Sequence, residues 1–301
     1  MSKKHELPTL PPHAKRHLGI KATNAITNTF IYILLAIITV IWLFPFVCIV
    51  LQSFESDPTR TGMSGSILPK QWGLLNYKKL FADGSPFLKW YINTFIVAVC
   101  TAAGQTIIQL CMSYTLSRFR FKMRKPLMQF MLILGMFPGM LGMIILYNVL
   151  KDFGLVQGNA VPGLILVNIA SSGMGYYVSK GFFDTIPKSL DEAARIDGAT
   201  RLQILYRVIL PLAKPIVIYT ILSAFMGPWG DFVFARYISN NTVAGMTVAV
   251  GLNSWLSADQ IPYMYTQFCA GGVLVALPVT LLFMFLQKYY VEGVTGGAVK
   301  G

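Results

Sequence analysis

The residue types that ordinarily do chemistry are scarce in this chain, and where they occur their spacing is wrong for it. The three histidines, His5, His13 and His17, all fall in a tail punctuated by prolines at 8, 11 and 12. Cys48, Cys100, Cys111 and Cys269 lie far apart, each inside an apolar run. That pattern excludes a Ser-His-Asp hydrolase and a CxxC metal centre from the body of the chain, and leaves the thiols as small polarizable packing groups. No stretch matches GxxxxGK[ST], and the dipeptide Gly-Lys does not occur, so a phosphate-cradling loop is missing. No catalytic residue, metal ligand or cofactor site is therefore expected.

The strongest local signal is instead a polar island, Pro187-Lys-Ser-Leu-Asp191-Glu192-Ala193-Ala194-Arg195-Ile196-Asp197-Gly198-Ala199, which runs on to Leu210-Pro211. Its start and stop signals describe two short helices. Ser189 followed by Glu192 fits a capping box, Gly198 stands where a left-handed helix terminus is wanted, and Thr200 followed by Gln203 is a second box. Pro211 is expected to end the second helix. Ala193, Ala194 and Gly198 give the pair a face of little side-chain bulk, which another backbone can approach closely, while Glu192 and Asp197 offer carboxylates to a cationic partner.

The elements that hold this island are membrane helices. Of 301 residues 54% are hydrophobic and only 12% charged, about half the charged share of an average soluble domain, and the mean hydropathy is +0.58. Apolar runs near the ~20 residues that span a bilayer predict six spans, at 28–51, 90–116, 126–150, 160–183, 216–238 and 265–289. The third and fifth are interrupted by Phe137-Pro138-Gly139 and Gly227-Pro228-Trp229-Gly230. The expected fold class is all-α and polytopic: a tail at 1–27, a six-helix membrane domain at 28–289 with the island at 189–210 inside it, and a second tail at 290–301.

A net charge of +13 would suit nucleic acid, but the cations flank spans and no aromatic-interleaved surface accompanies them. Lysines and arginines concentrate before span one, after span two (Arg118, Arg120, Lys122, Arg124, Lys125) and around the island (Lys188, Arg195, Arg201, Arg207, Lys214). By the positive-inside rule, both termini and the island face the cytoplasm. The first tail lacks a small-residue cleavage pattern before an apolar core, so span one is expected to be a retained anchor. Inside the spans the clearest carboxylate is Asp231, with Arg236 close enough in sequence to be a local partner or a snorkelling anchor, which is thin material for an ion-coupled carrier.

Glu192-Ala193-Ala194, Gly198, Val208 and Leu210-Pro211 together resemble the EAA signature of permease subunits of ATP-driven (ABC) importers, with valine at Val208 where isoleucine is more usual. Trp229-Gly230-Asp231-Phe232 and the C-terminal run from Leu286 through Gly293, Thr295, Gly296, Gly297 and Lys300 are similar to the smaller, six-span maltose-type subunit. The resemblance implies the type I importer permease fold. It also implies that the island's helices are coupling helices docking into a cytoplasmic ATPase, and that the C-terminal tail enters the interface between two ATPase copies.

The implied partners are a second permease subunit, two copies of the ABC ATPase, an extracellular solute-binding protein, a sugar substrate of malto-oligosaccharide type and membrane lipid, with no nucleic acid. The implied place is the bacterial cell membrane. Phe137, Asn168, Tyr176, Tyr177, Phe225, Trp229 and Asp231 are the candidates for the pathway, because pyranose faces are apolar with hydroxyl rims and because irregular or polar residues at membrane depth belong where a cavity, or else close helix packing, receives them. The segment 239–262, with Asn240, Asn241 and Trp255, is the candidate to meet the binding protein. The alternatives are a permease for another solute, such as glycerol-phosphate or a polyamine, an ion-coupled secondary transporter and a membrane-embedded enzyme.

Overall fold

The computed structural model describes residues 20–63, 66–136 and 139–295. The chain forms two units, residues 1–48 and 49–301. In the first, the helix α1 (Ile20–Ser53) carries an almost unbroken row of exposed apolar side chains from Phe30 to Val47. The Thr39 hydroxyl donates to the Leu35 carbonyl (2.7 Å), so that polar group is satisfied within its own helix.

The second unit is organised on α3 (Phe87–Arg118), which packs against α6 (Ala160–Ala170), α7 (Tyr176–Asp184), α11 (Lys214–Gly230) and α13 (Val248–Ser254). At 32 residues α3 is about 48 Å long, against the ~30 Å of a hydrocarbon core. It is thus longer than a single crossing requires. Three apolar cores draw on it, a small one holding Leu116 with Met131 and Tyr176, and two larger ones. One gathers Phe87, Trp90 and Val97 with Trp229, Phe234, Val248 and Trp255; the other gathers Leu110 and Tyr114 with Phe183, Ile204, Ile209 and Ile216.

Polar residues on the buried stripe of α3 serve the irregular backbone beside it. Between α6 and α7 the chain tightens into a 3₁₀ turn, Ser171–Gly175, which frees carbonyls that an α-helix would have used. Gln109 Nε2 donates to the Gly175 carbonyl and to Ser179 Oγ (2.9 Å each), and Ser113 Oγ lies 3.0 Å from the Tyr176 carbonyl. A Cβ at Gly175 would meet Gln109 at 2.6 Å, so glycine makes this approach possible. Higher on α3, Asn93 donates to the carbonyls of Ala244 and Met246, and Thr94 Oγ1 accepts from the Val248 amide (2.8 Å). Non-helical backbone at membrane depth is tolerated where protein satisfies it in this way.

Among the described residues three helical stretches are individually long and apolar enough to cross a membrane: Thr27–Ser53, Phe87–Arg118 and Ile261–Lys288, the last within α14 (Ile261–Thr295). Two bent pairs meet the same test together, Leu141–Asp152 with Gln157–Ala170 at 101° and Arg201–Leu212 with Lys214–Gly230 at 88°. The expected third span is divided into α4 (Arg124–Gly135) and α5 (Gly139–Asp152), and the expected fourth is broken by the 3₁₀ turn. The expected fifth stops at Gly230: Asp231 takes extended ψ, and a separate helix, α12 (Val233–Ser239), follows. The interruptions expected at Phe137-Pro138-Gly139 and Gly227-Pro228-Trp229-Gly230 fall near two of these breaks, although α11 runs through Pro228 to Gly230; hydropathy does not register the break in the fourth, because serine and glycine there are uncharged.

Beyond α1 the chain makes a polar clasp. Glu55, buried, accepts from the amides of Asp57 (3.0 Å), Lys70 (2.8 Å) and Gln71 (3.1 Å), and forms an isolated antiparallel bridge with Trp72. Asp57 accepts from Thr59 and from Lys70 Nζ (2.8 Å). Asn76, on α2 (Leu75–Leu80), donates to the Ser53 and Glu55 carbonyls and accepts from Thr266 Oγ1 (3.1 Å), which fastens the loop to α14.

Candidate coupling site and pathway residues

The island forms α8 (Ser189–Ile196) and α9 (Arg201–Ile204), but not every cap reads as its sequence does. Lys188 is already helical (φ −70°, ψ −20°), and the first turn closes on the Pro187 and Lys188 carbonyls. Ser189 thus sits inside the helix, and its capping box with Glu192 does not form, because a cap residue needs non-helical backbone. Glu192 is exposed on the outward face. The other two signals hold. Gly198 has φ +81°, the Ala199 amide reaches the Ala194 carbonyl (2.9 Å) and the Gly198 amide reaches that of Arg195 (3.0 Å), a Schellman closure. Thr200 and Gln203 exchange both bonds of the box, at 2.7 and 3.3 Å.

Pro211 does not end the second helix. A π turn, Leu205–Ile209, precedes α10 (Leu210–Leu212), and the break comes at Ala213, where the chain turns by 88° into α11. Proline has no amide to give, and the wider turn before it lets the helix pass through with its ring accommodated.

The low-bulk face is present and has an apolar border. Ala193 and Gly198 are exposed, and nothing lies within 4 Å of a Cβ built on Gly198, while Ala194 turns partly into the core that holds Ile204 and Ile209. Flanking them, Ile196 is 86% and Leu202 70% exposed. Two large apolar side chains beside a flat patch, on the most polar segment of the chain, are the composition of a docking surface. Neither was evident among the many aliphatic residues of the sequence.

The contact that sequence reasoning missed altogether is Asp191. It is 8% exposed, and its Oδ2 lies 2.9 Å from Nε of Arg118, the last residue of α3. Arg118 Nη2 also donates to the Ile186 carbonyl (3.0 Å). The Nε approach is a charge contact without hydrogen-bond alignment, and Arg118 Nη1 and Asp191 Oδ1 are buried with no partner among the described residues. The same end of α3 grips α7 and the rest of the island: Ser117 Oγ donates to Asp184 of α7 (2.6 Å), Tyr114 Oη donates to the Arg201 carbonyl (3.2 Å), and the Arg201 guanidinium stacks over Phe119 at 4.6 Å. Arg118, Arg120, Lys188, Arg195 and Arg201 outnumber Asp191 and Glu192 around a hollow of about 430 Å³, so the surface there is strongly cationic. The signal available in the sequence was an arginine closing a span and an acid beside the signature; their meeting across 73 positions was not.

The pathway candidates do not share one environment. Tyr176 and Trp229 are buried, at 1% and 5% exposure, so both are packing residues within this chain. Trp229 stacks edge-on against Tyr91 (5.3 Å) and beside Phe225 (6.0 Å). Tyr177 is half exposed, and Phe225 lines an apolar hollow with Val99, Ala102 and Pro278. Asn168 is partly buried, its carbonyl accepting from Ser171. Asp231 accepts from the Phe234 amide (3.2 Å) and starts α12. Arg236 is not its partner: it donates to Asn253 Oδ1 (3.3 Å) and lies over the Phe232 ring. Trp255, a candidate for partner contact, is buried on Phe87 and Trp90. Phe137, Gly296, Gly297 and Lys300 lie outside the described residues, and Gly293 and Thr295 fall on the last turn of α14.

Apolar helices long enough to cross a membrane carry a short helix pair at the end of one of them, with an exposed face bordered by cations. Residues 109–296 match the family described as the binding-protein-dependent transport system inner membrane component. The chain belongs to that family, and is thus a multi-pass protein of the bacterial inner membrane that works with other importer components. Among similar proteins, the galactooligosaccharides transport system permease protein GanQ of Bacillus subtilis is 36% identical, covering 94% of this chain and 99% of its own. The maltodextrin transport system permease protein MdxG of the same organism is 35% identical over 90% and 95%, and MalD of Streptococcus pneumoniae, also a maltodextrin permease protein, 32% over 94% and 99%. A solved bacterial ABC transporter, involved in the import of the acidic polysaccharide alginate, has a chain that shares the fold (TM-score 0.73, 24% identity, 89% of this chain and 98% of that one).

Proposed function

We propose that this chain is one of two permease subunits of an ATP-driven oligosaccharide importer, and that residues 189–210 couple it to a separate ATPase. The observation that carries this reading is the grip of α3 on the island. A helix long enough to cross the bilayer ends in Tyr114, Ser117, Arg118 and Phe119, which hold α7, α8 and α9. A displacement of the docked face is thereby delivered to a membrane-crossing helix, which is what coupling two sites through one bistable element requires. Malto- or galacto-oligosaccharide as cargo is supported by the names of the relatives.

In this reading the island and both termini are cytoplasmic, in keeping with the distribution of lysine and arginine. Residues 28–289 form the permease domain between two tails. Glu192, Ala193, Ala194, Asp197, Gly198, Leu210 and Pro211 contribute to the ATPase contact, joined by Ile196 and Leu202. Gly293, Thr295, Gly296, Gly297 and Lys300 approach the interface between two ATPase copies, and an extracellular binding protein delivers the sugar.

The test is reconstitution with ATPase, second permease and binding protein. Uptake should follow ATP and survive collapse of ion gradients; uptake that follows a gradient instead refutes the reading. Gly198→Asp and Ala193→Trp should leave the subunit inserted while ATPase co-purification, or ATP hydrolysis stimulated by loaded binding protein, is lost; wild-type values in both assays would reject the docking role. Removal of residues 293–301 should impair transport or ATPase regulation.

A further inference from the structure

One cavity is used by nothing described so far. It lies between the middle of α5 and α12, with a volume of about 590 Å³, within the ~300–1,000 Å³ of small-molecule sites. Tyr147 and Tyr237 form one wall, their ring centroids 4.8 Å apart and tilted by 49°. Met143 adds apolar surface, and Arg236, Asn240 and Asn241 bring polar groups to it. The two asparagines stand in succession in the left-handed region (φ +44° and +57°) at the end of α12. Consecutive left-handed residues other than glycine are uncommon, and such strain persists where the surroundings fix it, often at sites of function.

We propose that this cavity is a subsite for neutral oligosaccharide at the outer mouth of the pathway. The proposal rests on the importer reading above, since the 17-residue α11 separates the island from α12 by about 26 Å, close to a hydrocarbon thickness. A cytoplasmic island then puts the cavity on the opposite side. The lining selects the ligand class. Tyrosine faces stack on the apolar C–H faces of pyranose rings, and neutral amides donate to and accept from hydroxyl rims. There is no carboxylate in the lining to hold a polyamine. Its one cation, Arg236, donates to Asn253 and lies over the Phe232 ring but keeps its charge, so glycerol 3-phosphate is the competitor that tests the neutral class.

The experiment uses the complete reconstituted transporter and measures uptake of maltose and of maltohexaose over a concentration series, with glycerol 3-phosphate and spermidine as competitors. Tyr147→Ala with Tyr237→Ala should raise the apparent KM for maltohexaose by about tenfold, and that for maltose less, since the shorter sugar makes fewer contacts at the mouth. Tyr147→Phe with Tyr237→Phe keeps the ring faces and should recover most of the difference. Asn240→Gly and Asn241→Gly remove the amides while easing the backbone, so they keep the test intact if the alanine pair fails to assemble; each should raise KM about threefold. Unchanged KM values in all variants overturn the subsite, as does competition by glycerol 3-phosphate or spermidine. A fall in complex yield with normal KM overturns it too, since the cavity is then a contact between permease subunits. If wild-type uptake ignores ATPase and binding protein, the importer reading fails, separately from the subsite.

Discussion

Glu55 and Asp191 are both buried carboxylates, yet their surroundings differ in kind. Glu55 is held by backbone amides from its own loop, within 16 positions of it, and Lys70 both donates an amide to it and pairs with Asp57. Burial pushes the Glu55 carboxyl up, but the amides of Lys70, Asp57, Gln71 and Ser56 together outweigh that and hold it below its ordinary range. Asp57 is held well below it, chiefly by Lys70 and Thr59. Asp191 meets one arginine from a distant helix, with a lone oxygen left over. A fully bonded acid makes a fixed clamp. An ion pair with spare polar atoms is a joint, able to change partners when the surface beside it is covered.

The comparison breaks most readily at the joint. Asp191→Ala strands the buried Arg118 guanidinium and should cost about 3–5 kcal/mol of local stability, seen as lost assembly or as ATP hydrolysis no longer matched by uptake. Exchanging the two residues, Arg118→Asp with Asp191→Arg, should restore part of the coupling; a swap no better than the single variants would mean that the pair does not act as a unit. At the clamp, Glu55→Gln turns an acceptor into a donor that faces amide donors. A cost of about 2–3 kcal/mol is expected, with transport per ATP unchanged in whatever complex assembles.

Acid tests the clamp, whose two carboxyls both lie below their ordinary range. Groups whose folded pKa lies below the unfolded value stabilise the fold above the unfolded pKa and lose that contribution as pH falls through the folded one. The protection of the Lys70 and Gln71 amides, taken relative to their intrinsic exchange at each pH, should therefore be flat from neutrality to about pH 5 and fall only below the ordinary carboxylate range near 4. Protection lost already near neutrality would show that the clamp does not depend on its carboxylates. The smallest effect is expected at Thr200→Ala, which removes an exposed cap worth about 1 kcal/mol and should loosen α9 without separating uptake from hydrolysis.

What could be read from the sequence was whatever neighbouring residues decide among themselves. Apolar runs gave the membrane class, Gly198 gave its left-handed turn, and Thr200 with Gln203 gave a cap, because each depends on a few adjacent backbone groups or on bulk transfer from water. Ser189 does not cap, for a local reason of another kind: Lys188 is itself helical and the Pro187 carbonyl already accepts from Leu190, so the turn begins before the residue best suited to cap it. Span five breaks a little later than the interruption expected at Gly227-Pro228-Trp229-Gly230: the helix runs through Pro228 to Gly230, and the Asp231 carboxylate starts a new helix.

Tertiary structure alone decided which side of α8 faces inward. Asp191 and Glu192 are adjacent acids with equal claims, and a helix turn of about 100° sends one toward α3 and the other to solvent. The choice belongs to Arg118, 73 residues earlier, whose buried charge must find an opposite one. In the same way, the faces of Tyr147 and Tyr237 come together only because α5 and α12 pack side by side. Signals of that sort are set by distance in space, and the order of residues along the chain does not contain it.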